Sequence, residues 1–260
     1  MANPADDEAS LPGGNSAAGV VRVGNTVRRE TSKASPAIHA LLRHLQSHGF
    51  AHSPHFLGMD ERGREMLTFH PGQTAWELGS AFPSDEEIAR LGKVVRDLHE
   101  SLRDFSAPED PQWSDRGADP LRGHLVLHND IGPWNLVVDA DVWTIIDWDE
   151  AAPGRPEWEL ALVLQSFVPL WPDSTLSDAE IVDRMKRFGE GYGATGQRLQ
   201  DVVALIPERC RRFVEMIDRG VRDGDPQLLK MLKDGHRQVW SAAAAHAESR
   251  KSSWHRLLGS

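Results

Sequence analysis

The sequence predicts an α+β protein with a small, strand-rich front lobe and a larger, mostly helical back lobe. Between residues 20 and 69, short runs of β-branched residues are separated by turn residues, a pattern typical of antiparallel hairpins. After residue 84, apolar residues recur mainly at helical spacing. Strands and helices are thus segregated along the chain, which argues against an alternating βαβ arrangement.

Two hairpins and one helix are predicted in the front lobe. The runs Val20–Val23 and Thr26–Arg29 flank Gly24-Asn25, a dipeptide typical of two-residue turns. A helix is expected from Pro36 to Gly49, because apolar residues recur there at i, i+3, i+4 and i+7. A second hairpin is expected from Phe56 to Phe69. These patterns indicate a small antiparallel sheet.

The boundary between the lobes is expected at Pro71-Gly72, where the strand pattern stops. We therefore assign residues 13–70 to the front lobe and residues 71–260 to the back lobe, behind a loose polar tail of residues 1–12. Helix starts in the back lobe are predicted from capping residues and prolines. These are the capping boxes Ser84–Glu87 and Ser177–Glu180, Pro207 at the start or a kink of a helix, and Asp225-Pro226 ahead of a long last helix.

Composition and charge exclude several classes of protein. The only cysteine is Cys210, so neither a disulfide framework nor a cysteine-based zinc site is expected. No apolar run reaches the roughly 18 residues of a membrane helix, and residues 1–8 lack the features of a signal peptide, so we expect a cytoplasmic protein without a membrane partner. The net charge of −10 argues against a nucleic-acid partner. Its acidic excess, concentrated in residues 101–200, could attract a cationic small molecule or metal ions.

One stretch of the back lobe concentrates polar residues between apolar strands. An apolar strand leads to His128 and Asp130, and Asn135 then precedes a hairpin over residues 136–146 that ends at Asp147. Because the hairpin folds back on itself, we expect Asp130, Asn135 and Asp147 to be neighbours. A polar turn between two core strands is the simpler interpretation, but the spacing of the three residues favours a functional one.

Phosphoryl transfer from a nucleotide needs such a set of side chains. Asp130 would orient a substrate hydroxyl and accept its proton. Asn135 and Asp147 would supply hard oxygen ligands to one or two Mg²⁺ ions that bridge the phosphates.

At these residues the sequence resembles the aminoglycoside phosphotransferase and choline kinase superfamily of small-molecule kinases. The family pattern is His-x-Asp, four residues, Asn, and then a hairpin that ends in Ile-Asp-Trp or Ile-Asp-Phe. Here it is matched by His128, Asp130, Asn135 and Ile146-Asp147-Trp148. The following Gly154–Ala161 is similar to the family's Gly-Asp-Pro-x-x-Asp-Leu-Ala, with Glu instead of Asp at position 159.

The resemblance implies a bilobal, protein-kinase-like fold from about residue 13 to the last helices. It also implies ATP or GTP as phosphate donor, Mg²⁺ as metal, Asp130 as the base, and Asn135 and Asp147 as metal ligands. It is strongest over residues 125–161.

The front lobe departs from the family pattern on the strand expected over the nucleotide. The family has a lysine there, paired with an acid in the next helix, whereas this strand reads Thr26-Val27-Arg28-Arg29 and the helix from Pro36 to Gly49 contains no acid. Strand alternation places Val27 and Arg29 on one face, so we assign Val27 to the adenine and Arg29 to the phosphates, with Arg28 as second choice. An arginine could fulfil this role without an acidic partner. Alternatively, both arginines are solvated on an edge strand.

Other nucleotide contacts are inferred from position. The segment Gly13–Gly19 would form a flexible loop above the phosphates. Thr68, Phe69 and His70, where the last front strand meets the lobe boundary, would present backbone groups to the adenine edge. His44 and His48 are spaced i, i+4, but the sequence indicates no third metal ligand for them.

The acceptor site is expected in the helical back lobe. Asp149, Glu150 and Glu157 follow the metal acid closely, and Trp134 is one of several tryptophans nearby. Acids combined with aromatic faces suit an acceptor that carries amines. Glu159, in contrast, is expected to have a structural role near the start of a helix.

These observations predict an ATP- or GTP-dependent O-phosphotransferase that acts on a small hydroxylated molecule, such as a cationic antibiotic of the aminoglycoside type. A nucleotide-binding pseudokinase with a regulatory or scaffolding role is the main alternative, suggested by the missing lysine and helix acid. A metal-dependent hydrolase built from His128, Asp130 and Asp147 is a third.

Overall fold

The structure is a computed structural model that describes residues 8–11, 19–79 and 82–259. The elements of its front part are β1 (Ala9–Ser10), β2 (Val21–Val23), β3 (Thr26–Arg29), α1 (Ser35–Ser47), β4 (Phe56–Met59) and β5 (Glu65–Thr68). The strands form a five-stranded antiparallel sheet with the order β1-β2-β3-β5-β4, accompanied by the helix α1.

Both predicted front hairpins are present. The turn between β2 and β3 contains Gly24, whose φ of 59° is readily adopted by glycine. Strands β3 and β5 pair antiparallel, with Arg29 opposite Glu65. Directly opposite residues of antiparallel strands place their side chains on the same face of the sheet, so this register brings a cation and an anion together.

The expected loose tail of residues 1–12 is partly wrong. Ala9 and Ser10 form β1, because they pair with the edge of β2 that would otherwise lack a partner. Glu8 also contacts this lobe through Arg62 and Arg64, at 3.0 and 2.8 Å. Positions 1–7 and 12 of the tail, and positions 13–18 of the expected glycine loop, lie outside the described residues.

The back part combines two small sheets with the helices. The elements are β6 (Gln73–Thr74), α2 (Ala75–Leu78), α3 (Asp85–Ser101), β7 (Leu125–Leu127), β8 (Leu136–Asp139), β9 (Val142–Ile145), β10 (Ala152–Gly154), α4 (Pro156–Phe167), α5 (Asp178–Tyr192), α6 (Gln197–Arg222), α7 (Pro226–Lys233) and α8 (His236–Leu258). The three-stranded sheet has the order β6-β8-β9, and β7 pairs with β10 in the other.

Close backbone packing marks the passage from β5 to β6. Gly72 has a φ of 122°, and a Cβ atom there would lie 2.3 Å from the carbonyl oxygen of Val138. A residue with a side chain would therefore push β6 away from β8. The expected boundary at Pro71-Gly72 thus falls where the chain leaves the five-stranded sheet, and the division into lobes at this point stays a prediction.

The predicted helix starts hold at Ser84 and Ser177, each of which forms a capping box with the glutamate three residues later. The predictions for the last helices hold only in part. Pro207 does not begin a helix but lies inside α6, which begins at Gln197, so of the two positions expected for it only the one within a helix remains. Asp225 does cap the helix after it, but this is the short α7, because Gly235 with a φ of 85° interrupts the chain before α8.

The core extends from the sheet to the last helix. Its largest fully buried aromatic side chains include Trp143, Trp148, Trp158 and Trp254. In the parts of the chain that the structure describes, none of the helices has the length and apolar character needed to cross a membrane.

Candidate active site

The loop after β7 is fixed by the buried side chain of His128. The Nδ1 atom accepts the amide proton of Asp130 (3.2 Å), and Nε2 lies 3.0 Å from the carbonyl oxygen of Ile146. Burial lowers the pKa of His128, so the neutral ring donates its single N–H from Nε2 to this carbonyl. His128 therefore joins the loop of Asp130 to the chain directly before Asp147.

Asn129, which lies between His128 and Asp130, is held by hydrogen bonds from three sides. Its backbone has a φ of 63°, and its backbone amide donates to the carboxylate of Glu159 (2.7 Å). Its carbonyl oxygen accepts from the buried Arg209 of α6 (2.6 Å), and its side chain donates to the carbonyl oxygen of Glu150 (3.2 Å). Asparagine tolerates this left-handed conformation better than most residues. The result is a rigid support for Asp130.

Glu159 has the structural role expected from the sequence. It is fully buried in α4 and also accepts a hydrogen bond from His99 of α3 (2.6 Å), whose other ring nitrogen lies 2.8 Å from the hydroxyl of Tyr192. Burial by itself would raise the pKa of Glu159, but the hydrogen bond and charge of His99 outweigh it, and the pKa is lowered. The carboxylate thus stays ionised and ties three elements to the loop.

We expect Glu159→Gln to lower the free energy of unfolding at pH 7 by about 3 kcal/mol, the lower end of the range for breaking a buried ionic pair. The same change at Glu157, whose ion pair with Arg198 is partly exposed, should cost less than about 1 kcal/mol. Because the pKa of Glu159 is lowered in the fold, its contribution is present above its ordinary pKa and is lost on acidification. Urea unfolding at pH 7 and pH 4 tests this, and equal losses in both variants would contradict it.

Asp130 is held by two neighbouring side chains. Its Oδ2 atom accepts hydrogen bonds from Trp134 Nε1 (3.1 Å) and Asn135 Nδ2 (2.7 Å). Burial and the negative charges of Glu150 and Asp147 raise the pKa of Asp130 to about 8. A carboxyl group with such a pKa is suited to proton transfer near neutral pH.

Asn135 directly precedes the β8–β9 hairpin and Asp147 follows it, so both lie at its open end. The amide of Ile146 donates to the carbonyl oxygen of Asn135 (2.9 Å), which closes the hairpin. Since Nδ2 of Asn135 is bound to Asp130, its Oδ1 is the atom that can act as a ligand. Asp147 has a φ of 62°, and burial and the charge of Asp149 raise its pKa, although Arg29 acts in the opposite direction. The hairpin thus brings together the three side chains predicted from the sequence.

Arg29 reaches from the five-stranded sheet to these acids. Its guanidinium forms a two-pronged ion pair with Asp149 (2.7 and 3.1 Å), lies 3.4 Å from Asp147, and also binds Glu65. Arg28 points to the other face of β3, where it lies 3.5 Å from Asp60. Strand alternation therefore brings Arg29 to the acids of the hairpin and keeps Arg28 away from them. Neither arginine is freely solvated, in contrast to the alternative left open by the sequence.

The expectation that Arg29 lacks an acidic partner is wrong, because β5 supplies Glu65. This carboxylate is buried and binds Arg29 with one oxygen and His39 of α1 with the other. Burial would raise the pKa of Glu65, but His39 and Arg29 lower it. The acid thus comes from the neighbouring strand, and the helix contributes a histidine. A charged residue at the start of an otherwise apolar strand, Glu65–Thr68, was the available signal in the sequence.

The segment Thr68–His70 differs from what we expected. The amide of Thr68 donates to the carbonyl oxygen of His55 (3.0 Å), and that of Phe69 donates to Asn25 (2.9 Å). These two amides are therefore not available to an adenine edge, since the neighbouring strand ends bind them. The side chain of His70 contacts Thr68 (3.0 Å). Val27 packs against the main core, on the face of β3 that carries Arg29.

The four residues predicted to bind the acceptor do not form one group. Asp149 is paired with Arg29, so it lies on the side of the five-stranded sheet. Glu150 accepts a hydrogen bond from Ser114, and its charge influences Asp130. Trp134 contacts Asp130 directly. Glu157 lies apart from the other three residues, on the outer side of α4. It pairs with Arg198 (2.9 Å), and no hydrogen bond between described residues joins it to Asp130.

A kinase-type catalytic loop, followed by a hairpin with a terminal acid and faced by a five-stranded antiparallel sheet, defines a phosphotransferase with a protein-kinase-like fold. The family model described as "Phosphotransferase enzyme family" matches residues 112–198. The chain is also 35% identical, over 212 residues, to the trifolitoxin immunity protein of Rhizobium leguminosarum bv. trifolii. This similarity covers 77% of the chain and 73% of that protein.

Two solved structures share the fold at low sequence identity. An amicoumacin kinase in complex with AMP-PNP and Ca²⁺ has a TM-score of 0.61 and 12% identity, covering 97% of this chain and 92% of the other. The GDP complex of aminoglycoside 2'-phosphotransferase-IIIa has a TM-score of 0.54 and 14% identity, with coverage of 95% and 93%. The chain belongs to the phosphotransferase enzyme family, and it is a small-molecule phosphotransferase.

Proposed function

We propose that the protein transfers the γ-phosphate of ATP or GTP, with Mg²⁺, to a hydroxyl group of a small cationic molecule of the antibiotic or toxin class. The arrangement of Asp130, Asn135 and Asp147 at one end of a rigid hairpin, with Arg29 opposite, is the observation that carries this proposal. A cytoplasmic location, as expected from the sequence, is part of it.

The donor atoms in this arrangement fit Mg²⁺. Asn135 offers an amide oxygen and Asp147 a carboxylate, both hard oxygen ligands of the kind that this ion prefers. Desolvation and the charge of Asp149 raise the pKa of the half-buried Asp147, and a bound cation would stabilise its ionised form. When bound, the metal would neutralise charge on the phosphates of the donor.

The roles of the protein's own groups follow from their contacts. Trp134 and Asn135 fix one oxygen of Asp130 by hydrogen bonds, so its other oxygen can receive a hydrogen bond from the acceptor hydroxyl. As this hydroxyl attacks the γ-phosphorus, its proton passes to Asp130, and the bond from phosphorus to the nucleoside diphosphate breaks. His128 and Glu159 keep the loop in place during this step.

Arg29 is proposed to bind the donor phosphates. Its planar guanidinium, which makes a two-pronged contact with Asp149, can make the same kind of contact with two phosphate oxygens. Glu65 binds Nε of this guanidinium and is itself held by His39, so the side chain of Arg29 is kept in position. The Arg29–Glu65 pair would thus take the role that a lysine and a helix acid have in the family.

The chemical class of the acceptor rests on charge and on the similar proteins. The charge of Glu150 acts on Asp130 in an acidic part of the chain, and Trp134 adds an aromatic face, a combination that suits ammonium groups. The names of the similar proteins refer to a trifolitoxin immunity function and to kinases of amicoumacin and aminoglycosides. We therefore propose an acceptor with hydroxyl and amino groups.

The two alternatives are weaker. The pseudokinase hypothesis was based on a missing cation–acid pair, and Arg29 with Glu65 supplies such a pair. The hydrolase hypothesis needs His128 as a metal ligand, but both of its ring nitrogens are occupied by the amide of Asp130 and the carbonyl oxygen of Ile146.

The test is a screen for acceptor-dependent release of ADP or GDP. Purified protein with Mg²⁺ and either nucleotide is mixed with hydroxylated amines, antibiotics and sugars, and phosphorylated products are identified by mass spectrometry. We expect transfer to at least one amine-bearing acceptor, with the nucleoside diphosphate formed in equal amount. Phosphate release from simple esters without nucleotide would instead support the hydrolase.

Replacement of Arg29 by methionine should raise the KM for the nucleotide by at least about 10-fold, because a charge-assisted hydrogen bond typically contributes about 1.5–3 kcal/mol. Arg28→Met is the matched control, since this neighbour lies on the other face of β3, and it should change KM by less than about 3-fold. Initial rates at varied nucleotide concentration provide the measurement. If Arg28→Met raised the KM for the nucleotide more than Arg29→Met, Arg28 would be the arginine that binds the phosphates.

A further inference from the structure

A cluster of two histidines and one aspartate lies outside the candidate active site. His44 and His48 occupy the last turn of α1 and its C-cap, and Asp104 follows the end of α3. The structure supplies the third ligand that the sequence did not indicate, since one potential ligand atom from each residue lies within 4.8 Å of the others. This cluster has no part in the proposed phosphotransfer.

The nitrogen–oxygen distances in the cluster match the spacing of metal ligands. His44 Nε2 lies 3.4 Å from Oδ1 of Asp104, and His48 Nε2 lies 3.4 Å from Oδ2 of the same carboxylate. Metal–nitrogen and metal–oxygen bonds of about 2.0–2.2 Å at a tetrahedral Zn²⁺ ion place neighbouring ligand atoms about 3.3–3.5 Å apart. Two imidazoles and a carboxylate are also a ligand set that Zn²⁺ accepts.

The hydrogen bonding of His48 orients its ring for a metal ion. Its Nδ1 lies 3.0 Å from the carbonyl oxygen of His44, a contact that requires the proton on Nδ1. With the proton on Nδ1, Nε2 is the ring nitrogen that faces the carboxylate of Asp104, and either a second proton or a metal ion can lie between the two groups. A carbonyl oxygen bound to the second ring nitrogen is the usual support of a metal-bound histidine. His44 would exchange its contact with the carbonyl oxygen of Ser101 (2.8 Å) for the metal.

We propose that His44, His48 and Asp104 bind one divalent transition-metal ion of the Zn²⁺ type, with water as the fourth ligand. Asp104 is 72% exposed and His48 39% exposed, so the ion can enter from solvent. The metal would join the end of α1 to the segment after α3. Because α1 also carries His39, which binds Glu65, such a link stabilises the helix that supports the Arg29 pair.

The test uses tag-free, full-length protein in excess Mg²⁺, which keeps the candidate active site from competing for the probe. Co²⁺ is titrated in while the visible absorption typical of tetrahedral Co²⁺ is recorded, and Zn²⁺ is then added as competitor. The variants are His48→Ala and Asp104→Asn, both exposed enough to leave the fold intact, with the exposed His124→Ala as control.

We expect Co²⁺ absorption in the wild type and in His124→Ala, and its displacement by Zn²⁺. Each of the other two variants should bind at least about 10-fold more weakly, since loss of even an outer-shell partner commonly costs 10- to 100-fold in metal affinity. Zn²⁺ at about 100 times its Kd should raise the Tm of the wild type by roughly 5–10 °C. No visible band in the wild type, or equal affinity in wild type and His48→Ala, would overturn the proposal whether or not the protein is a kinase.

Discussion

Asp147→Asn is expected to lower kcat by at least about 10³-fold without unfolding the protein. Asp147 is the charged member of the proposed ligand pair, and a metal ion at such a site typically supplies several kcal/mol of transition-state stabilisation, equivalent to 10³-fold or more. Asparagine suits the left-handed backbone at this position, where φ is 62°. Loss of the negative charge also relieves repulsion with Asp149, so the Tm of the metal-free protein should not fall.

The contrast with Asn135→Ala makes this prediction specific. Asn135 is a neutral ligand, so its loss should leave measurable activity that rises with added Mg²⁺. Recovery should be incomplete, because Nδ2 of Asn135 also holds the carboxylate and the carbonyl oxygen of Asp130. Initial rates are measured across a Mg²⁺ titration, with Asp139→Asn at the exposed end of β8 as control. Normal rates of Asp147→Asn at low Mg²⁺ would show that Asp147 is not a metal ligand.

The centre of the candidate site was predictable because its geometry is local. Fewer than 20 residues separate Asp130 from Asp147, and a single hairpin between them fixes their relative positions. Side chains alternate between the two faces of a strand, so the sequence alone likewise predicts that Arg29 and Arg28 lie on opposite faces of β3. Capping residues such as Ser84 and Ser177 were reliable for the same reason, since a cap depends only on the next three residues.

What the sequence did not reveal depends on contacts between distant segments. Glu65 becomes the partner of Arg29 only through the register of β3 with β5, which neither strand specifies alone. Asp104 meets His44 only because the end of α3 packs near the end of α1. The break at Gly235 was missed for another reason: apolar periodicity continues on both sides of it, and a single glycine is a weak signal inside a helical pattern.

The raised pKa of Asp130 has opposite consequences for catalysis and for stability, and both can be measured. Its pKa in the fold is raised to about 8, first by burial and then by Glu150 and Asp147. A raised carboxyl pKa means that the folded state favours the protonated form. The resulting cost to stability is absent below the ordinary pKa near 3.8 and grows as the pH rises towards 8. The group that is suited to accept a proton is therefore one whose ionisation destabilises the metal-free protein.

Asp130→Asn should consequently lose activity and gain stability. We expect kcat to fall by at least about 10²-fold, the lower range for removal of a general base, with little change in the KM of the nucleotide. In metal-free buffer the Tm of the variant should exceed that of the wild type at pH 8, and the difference should shrink towards pH 5. The measurements are steady-state rates and thermal unfolding at both pH values, with Asp139→Asn as the exposed control. A rate near that of the wild type would show that Asp130 is not the base. A Tm of the variant below that of the wild type at pH 8 would show that the carboxylate stabilises the fold instead.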